Sequence, residues 1–141
     1  MGVEENKAVV RQYYERTNNG DESVIDELMS GDFVFHATSS RKDIDKEDFK
    51  KGPLVAAFPD QQRSIEMMIA EDNLVSVYSV LSGTHEGQLG NTGPTGKSIS
   101  VPSFAVYRLE NGKIAEAWNL NDHFSLLQQI GALPSPEEIE Q

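Results

Sequence analysis

Glu116, Trp118, Asp122 and His123 fall close together near the end of the chain, and His36 closes an aromatic run, Phe33-Val34-Phe35-His36, near its start. A carboxylate beside a bulky aromatic is a candidate general base, because apolar surroundings disfavour its charged form and make it a better proton acceptor. Asp122 fits that description. It also precedes a helical apolar pattern, where an aspartate caps the helix by accepting a backbone N–H, and the two roles are compatible. His36 has two readings as well: an acid or base working near neutral pH, or a hydrogen-bonded structural residue. His85, at a strand end after Gly83-Thr84, and His123, pointing away from Asp122, rank below it.

Several chemistries drop out on spacing. Glu116 and Asp122 are six strand residues apart, roughly 20 Å, which is too far for two carboxylates to act on one bond. Glu116 then reads as a polar residue at the far end of a pocket or as an ion-pair partner. No Gly-x-Ser-x-Gly sequence is present to mark a nucleophilic serine. Gly90 to Ser98, Gly-Asn-Thr-Gly-Pro-Thr-Gly-Lys-Ser, imitates a phosphate-binding loop. Its first glycine is one residue too early, and a strand rather than a helix follows, so it reads as a connection between strands.

The element that must position Trp118 and Asp122 is a hairpin over residues 104–122, turning at Asn111-Gly112. Asn-Gly suits a two-residue type I′ turn, whose central positions both need positive φ. Such a turn sets Glu110 opposite Lys113 and, continued regularly, places Ile114, Glu116, Trp118 and Asp122 on one side with Val101, Ser103, Ala105 and Tyr107. Phe104, Phe35, Tyr14 and Trp118 read first as core aromatics. Tyr14 has in addition a phenol able to meet a ligand while its ring packs.

Upstream, Val9, Val10, Tyr13, Tyr14 and Thr17 repeat at helical spacing over residues 4–19, and Asn18-Asn19-Gly20 ends that helix. Asp21 is the expected cap of a short second helix carrying Val24, Ile25 and Leu28, stopped by Gly31. Residues 32–38 form a strand, with Phe33, Phe35 and Ala37 on one face and Val34, His36 and Thr38 on the other. A polar loop over 39–43 leads to a third helix of about a dozen residues from near Asp45, kinked or divided by Pro53. Strands over 62–71 and 74–86 meet at Asp72-Asn73, and another spans 97–109, where Pro102 suggests an edge or a bulge. A final helix carries Phe124, Leu126, Leu127 and Ile130, followed by an acidic, loose tail over 134–141. Helices gathered beside a meander of antiparallel strands make an α+β fold, and one curved sheet closed by helices leaves a pocket. Residues 1–133 form a single domain.

The chain has 141 residues, 38% hydrophobic and 25% charged, as expected of one soluble globular domain. It has no segment resembling a membrane span or a signal peptide, which points to the cytoplasm. It has no cysteine, and its three histidines show no ligand spacing, so no metal site is expected. A formal charge of −11 repels nucleic-acid phosphates and anionic membranes, leaving small molecules and further protein chains as partners. Apolar residues on both faces of the last hairpin favour sheet-to-sheet association.

Together, Phe58-Pro59-Asp60, Gly83-Thr84-His85-x-Gly87, Gly93-Pro94-Thr95-Gly96-Lys97, Tyr107-Arg108, Asn111-Gly112-Lys113-Ile114, Glu116-x-Trp118-x-x-x-Asp122 and Leu126-Leu127-Gln128-Gln129-Ile130-Gly131 resemble the SnoaL-like polyketide cyclases and their ester cyclase relatives in the NTF2-like superfamily. Tyr13-Tyr14-Glu15 and Asp32-Phe33-Val34-Phe35-His36 fit as well, so the resemblance covers nearly the whole chain. It implies a cone-shaped, curved antiparallel sheet packed by N-terminal helices around a deep pocket, in a homodimer or homotetramer. It further implies a lyase- or isomerase-type cyclase that needs no cofactor and closes a ring by an aldol reaction on a small apolar or carbonyl-containing compound. The position matching the family's acid/base aspartate is Asp122, with His36 as a second catalytic candidate and Tyr14, Phe35, Phe104 and Trp118 as the pocket wall. The alternative is an NTF2-like protein that binds a small molecule without turning it over.

Overall fold

The structure, a computed structural model, describes residues 2–37 and 40–139. Its elements run α1 (Val3–Asn18), α2 (Val24–Leu28), β1 (Met29–Ala37), β2 (Lys42–Asp45), α3 (Lys46–Phe49), α4 (Pro53–Ala57), β3 (Gln62–Glu71), β4 (Leu74–Thr84), β5 (Ser98–Glu110), β6 (Lys113–Asn121), α5 (His123–Gln129) and α6 (Pro136–Ile139). Thr38 and Ser39, expected at the end of the first strand and the start of the polar loop, lie outside the described residues, as do the last two residues of the tail.

One curved, unclosed six-stranded sheet has the order β2-β1-β6-β5-β4-β3. Every neighbouring pair is antiparallel except β1 with β6, which run parallel. The parallel pair arises because β1 precedes the meander and is joined to it through the intervening helices. Helix α1 lies on one face of the sheet, burying Asn6, Val10 and Tyr14, one residue per turn along a single stripe. Beneath it sits a core of Val75, Val77, Ala105, Tyr107, Leu109 and Ile114. A second core, built on Phe58, Leu81, Val101, Leu126 and Ile130, closes the other end under α4 and α5.

The expected helix from Asp45 is divided, with Asp45 capping α3 and Pro53 opening α4 as its first residue, where its missing N–H costs nothing. Asp21 does not cap α2. Its carboxylate accepts from the Ser23 backbone and hydroxyl and pairs with Arg16, and the cap position falls to Ser23. That helix stops at Leu28, before Gly31, and β2 occupies part of the expected loop. The tail carries the short helix α6.

The last hairpin turns at Asn111 (φ 52°) and Gly112 (φ 78°) with Glu110 opposite Lys113, as the sequence predicts. The regular continuation does not follow. The register shifts after Leu109 opposite Ile114, so that Arg108 faces Glu116, and consecutive Ile114 and Ala115 are both buried. This bulge at Ala115 reverses every later residue of β6. Ala117, Asn119 and Asn121 stand opposite Tyr107, Ala105 and Ser103 on the inner face, while Glu116, Trp118 and Leu120 stand opposite Arg108, Val106 and Phe104 on the outer one. Pro102 lies in a central strand without a bulge. Its carbonyl accepts from the Asp122 N–H where β6 ends, so its missing donor falls beyond the ladder.

Candidate functional site

The inner face is apolar along most of β4 and β5, and three small polar groups interrupt it. Ser79 stands among Val75, Val77 and Leu81, and pairs across the ladder with Ser103, which in turn faces Asn121. All three are buried. Ser103 Oγ donates to Asn121 Oδ1 at 2.6 Å. Buried polar groups need partners, and the group that completes this set comes from β3.

Arg63 pairs in register with inward-facing Leu81 and reaches across the sheet. Its Nη1 donates to Ser103 Oγ at 2.9 Å and to Asn121 Oδ1 at 3.2 Å. Its backbone is held by the last residue of α1: Asn18 Nδ2 donates to the Arg63 carbonyl and Asn18 Oδ1 accepts the Arg63 N–H, both at 2.8 Å. Gln62 Nε2 adds a bond to the Asn18 carbonyl. The Asn that reads in the sequence as a helix terminator thus fixes a cation against the sheet.

On the adjoining part of the same face, the phenols of Tyr14 and Tyr107 meet at 2.8 Å. Both rings pack edge-on with Tyr13, at 5.6 and 6.0 Å. Burial pushes the ionisation of all three phenols upward, and the positive charge of Arg63 opposes this without cancelling it. At neutral pH they are therefore neutral O–H groups. Ser79 lies beside Tyr14, yet its hydroxyl finds no partner of ordinary hydrogen-bond geometry among the described residues. A cavity of about 490 Å³ between α1 and β3 is lined by Tyr14, Arg63, Asn18 and Ile65, with Arg11, Glu15 and Glu66 also on its wall.

Of the residues expected from sequence, Tyr14 and Phe35 are on the inner side, with Phe35 packed on Phe49 at 4.9 Å. His36, Trp118 and Phe104 are on the outer side. His36 stacks on Trp118 at 4.9 Å, and both of its ring nitrogens are taken, Nδ1 by Asp43 at 2.7 Å and Nε2 by Glu116 at 2.5 Å. Glu116 also accepts from Arg108, so of its two expected roles the ion pair is the one found. Phe104 is 56% exposed against Tyr78. Asp122 is exposed and caps α5, accepting the Ser125 N–H at 3.0 Å.

His85 is fully buried against Phe58, and its Nδ1 accepts from the Thr95 N–H, which ties together the Gly-rich connection between β4 and β5. Gly87 in that connection admits no side chain, since a Cβ there would come within 2.1 Å of the Ala56 carbonyl oxygen. Arg63, Ser79, Ser103 and Asn121 escape a search for catalytic motifs. Their signal was a break in pattern: serines in otherwise apolar inward rows of β4 and β5.

An open, curved sheet with helices on its concave face and a polar patch within defines the NTF2-like class of α+β proteins. Residues 7–130 match the SnoaL-like polyketide cyclase family, and the chain belongs to it. Among solved structures it is similar to AclR from Streptomyces galilaeus, put forward as a hydroxylase, with 27% identity, a TM-score of 0.85, and 99% of this chain and 88% of that one covered. It is also similar to IdmH from Streptomyces antibioticus, put forward as a polyketide cyclase, with 25% identity, a TM-score of 0.80 and coverage of 89% and 98%. A SnoaL-like protein of Jannaschia sp. CCS1 shares 21% identity at a TM-score of 0.82, covering 94% and 95%, which speaks for the fold. No protein of curated function matches the chain by sequence.

Proposed function

We propose that the protein is a cyclase-type enzyme that works without a cofactor, transferring protons on a small carbonyl compound held against the inner face of the sheet. The observation that carries this reading is the Tyr14–Tyr107 phenol pair, buried on a face that packing alone would fill with apolar side chains. The pair contains two O–H donors and uses one internally, and in this reading the second, beside the Ser79 hydroxyl, turns to a ligand oxygen when one is bound. A neutral phenol donating to a carbonyl stabilises the negative charge that grows on that oxygen as a neighbouring C–H is deprotonated. The enolate so formed attacks a second carbonyl of the same folded molecule, the alkoxide this leaves takes up the proton removed from the C–H, and proximity supplies much of the rate.

The proton acceptor in this reading is Asp122, the residue that matches the family's aspartate and directly follows Asn121 in the chain. Its cap contact occupies one carboxylate oxygen and leaves the other to act. Asp122→Asn separates the two roles, because asparagine caps a helix about as well as aspartate and cannot take the proton. Deuterium exchange at the α-carbon of an aryl ketone, followed by NMR, should fall by about 10²- to 10⁴-fold in this variant with the melting temperature held. Undiminished exchange would remove Asp122 from the mechanism.

One observation favours the binding-only alternative. The buried polar set of Tyr14, Ser79, Ser103, Tyr107 and Asn121 contains no carboxylate, and Asp122 is exposed. Saturable ligand binding with no exchange catalysed by the unaltered protein would select that alternative.

A further inference from the structure

Arg63 is a cation without an anion among the described residues. Among the described residues, Arg16 and Arg108 each pair with two carboxylates, whereas Arg63 has none within ion-pair distance. The chain carries 23 acidic residues against 12 lysines and arginines, so an unpaired, half-buried arginine is not explained by any shortage of partners. Its two hydrogen bonds go to neutral groups, the Ser103 hydroxyl and the Asn121 amide oxygen, and both come from Nη1. The two acceptors lie on one side of Nη1, 2.6 Å from each other. The Nε–H and the Nη2 group take no partner among the described residues, and they form the edge of the guanidinium whose parallel N–H bonds match the two oxygens of a carboxylate.

We infer that the ligand of this site carries a carboxylate and that Arg63 receives it through the Nε and Nη2 edge. The side chain lines the 490 Å³ cavity together with Tyr14, behind which the buried Ser79 hydroxyl has no hydrogen-bond partner among the described residues. Asn18 holds the Arg63 backbone and Ser103 and Asn121 hold its tip, so the fork is set before a ligand arrives and little ordering cost remains on binding. Glu15 and Glu66 stand on the same wall, both exposed. Neither is paired with Arg63, and their charge disfavours a polyanion such as a nucleotide. The inference rests on the proposed ligand site of the inner face, and it specifies the substrate class there as a keto acid rather than a keto ester or another neutral ketone.

The test is a titration of the ¹⁵N-labelled full chain with benzoate and with benzamide at constant ionic strength, following the Arg63 Nε–H and the Asn121 side-chain amide by NMR. Benzoate should give saturable shifts and bind at least about tenfold tighter than benzamide, as a charge-assisted bidentate pair does over a neutral one. The preference should vanish in Arg63→Met. It should shrink in Arg63→Lys, which keeps the charge and loses the fork, and this variant decides the matter should the Met variant lose its folded spectrum. Equal binding of the two probes, no saturable response to benzoate, or an unchanged preference in Arg63→Lys would overturn the inference. A benzoate preference that depends on Arg63 in a protein without exchange activity would uphold the carboxylate site and remove the enzymatic reading. The opposite pair of results would do the reverse.

Discussion

Tyr14 and Tyr107 each bring one O–H into the interior, and each can be silenced by removing a single oxygen. Tyr107→Phe leaves the Tyr14 hydroxyl buried beside Ser79 without its 2.8 Å partner, which should cost about 1–3 kcal/mol. Removing both oxygens strips out the unsatisfied group along with its partner. The double variant should therefore be destabilised by less than the sum of the two single ones, which denaturant unfolding can measure. Strict additivity would mean that the phenols do not interact in solution. Under the proposed mechanism Tyr107→Phe also slows exchange at the α-carbon, whereas Asp122→Asn slows exchange and leaves stability in place. Because the two variants separate stability from activity differently, they distinguish a donor from a base.

His36 joins four strands through side chains rather than backbone. Asp43 on β2 and Glu116 on β6 hold its two ring nitrogens, and Glu116 continues to Arg108 on β5. Glu116 first, and Asp43 second, raise the ionisation of His36 above its ordinary value, so the folded protein binds the proton more tightly than the unfolded chain. The stabilisation is then fully present below the unfolded value, about 6.5, and is lost as pH rises through the higher folded one. Thermal melts of the natural chain and of His36→Gln should differ most near pH 6 and converge at alkaline pH. A difference independent of pH would show that the imidazole is not charged in the fold. This network was hidden from the sequence by the same event that hid the polar patch. The Asn111-Gly112 turn was legible because its φ values demand those residues, and α1 because its apolar spacing is regular. The bulge at Ala115 was not, since Ile114 and Ala115 are both apolar and either would serve on a buried face. One extra residue moved Trp118 to the outside and brought Asn119 and Asn121 in. Asp122 was legible as a cap, the role its neighbours in α5 dictate.

For the molecule as a whole, the outer face of the sheet is the open question of packing. Met67, Tyr78, Phe104 and Leu120 stand in one continuous register row across β3, β4, β5 and β6, and the next row carries Ile69, Val106 and Trp118. Met67, Ile69, Phe104 and Leu120 are each more than half exposed. A sheet with one solvated face ordinarily alternates polar outward residues against apolar inward ones, and here these outward rows are largely apolar as well. The occupant we expect is a second copy of the same face. Between two chains of charge −11, association is least opposed where the surface is uncharged, and these rows are uncharged from Met67 to Leu120. A twofold axis through Phe104 would set each row against its own image, the self-complementary arrangement that closes as a dimer. Phe104→Glu places a like charge on both sides of that axis and touches neither core, because the side chain already faces outward. Light scattering after gel filtration should give a dimer for the natural chain and a monomer with an unchanged circular dichroism spectrum for the variant. A monomeric natural chain, or a variant that remains dimeric, would require the apolar rows to have another purpose.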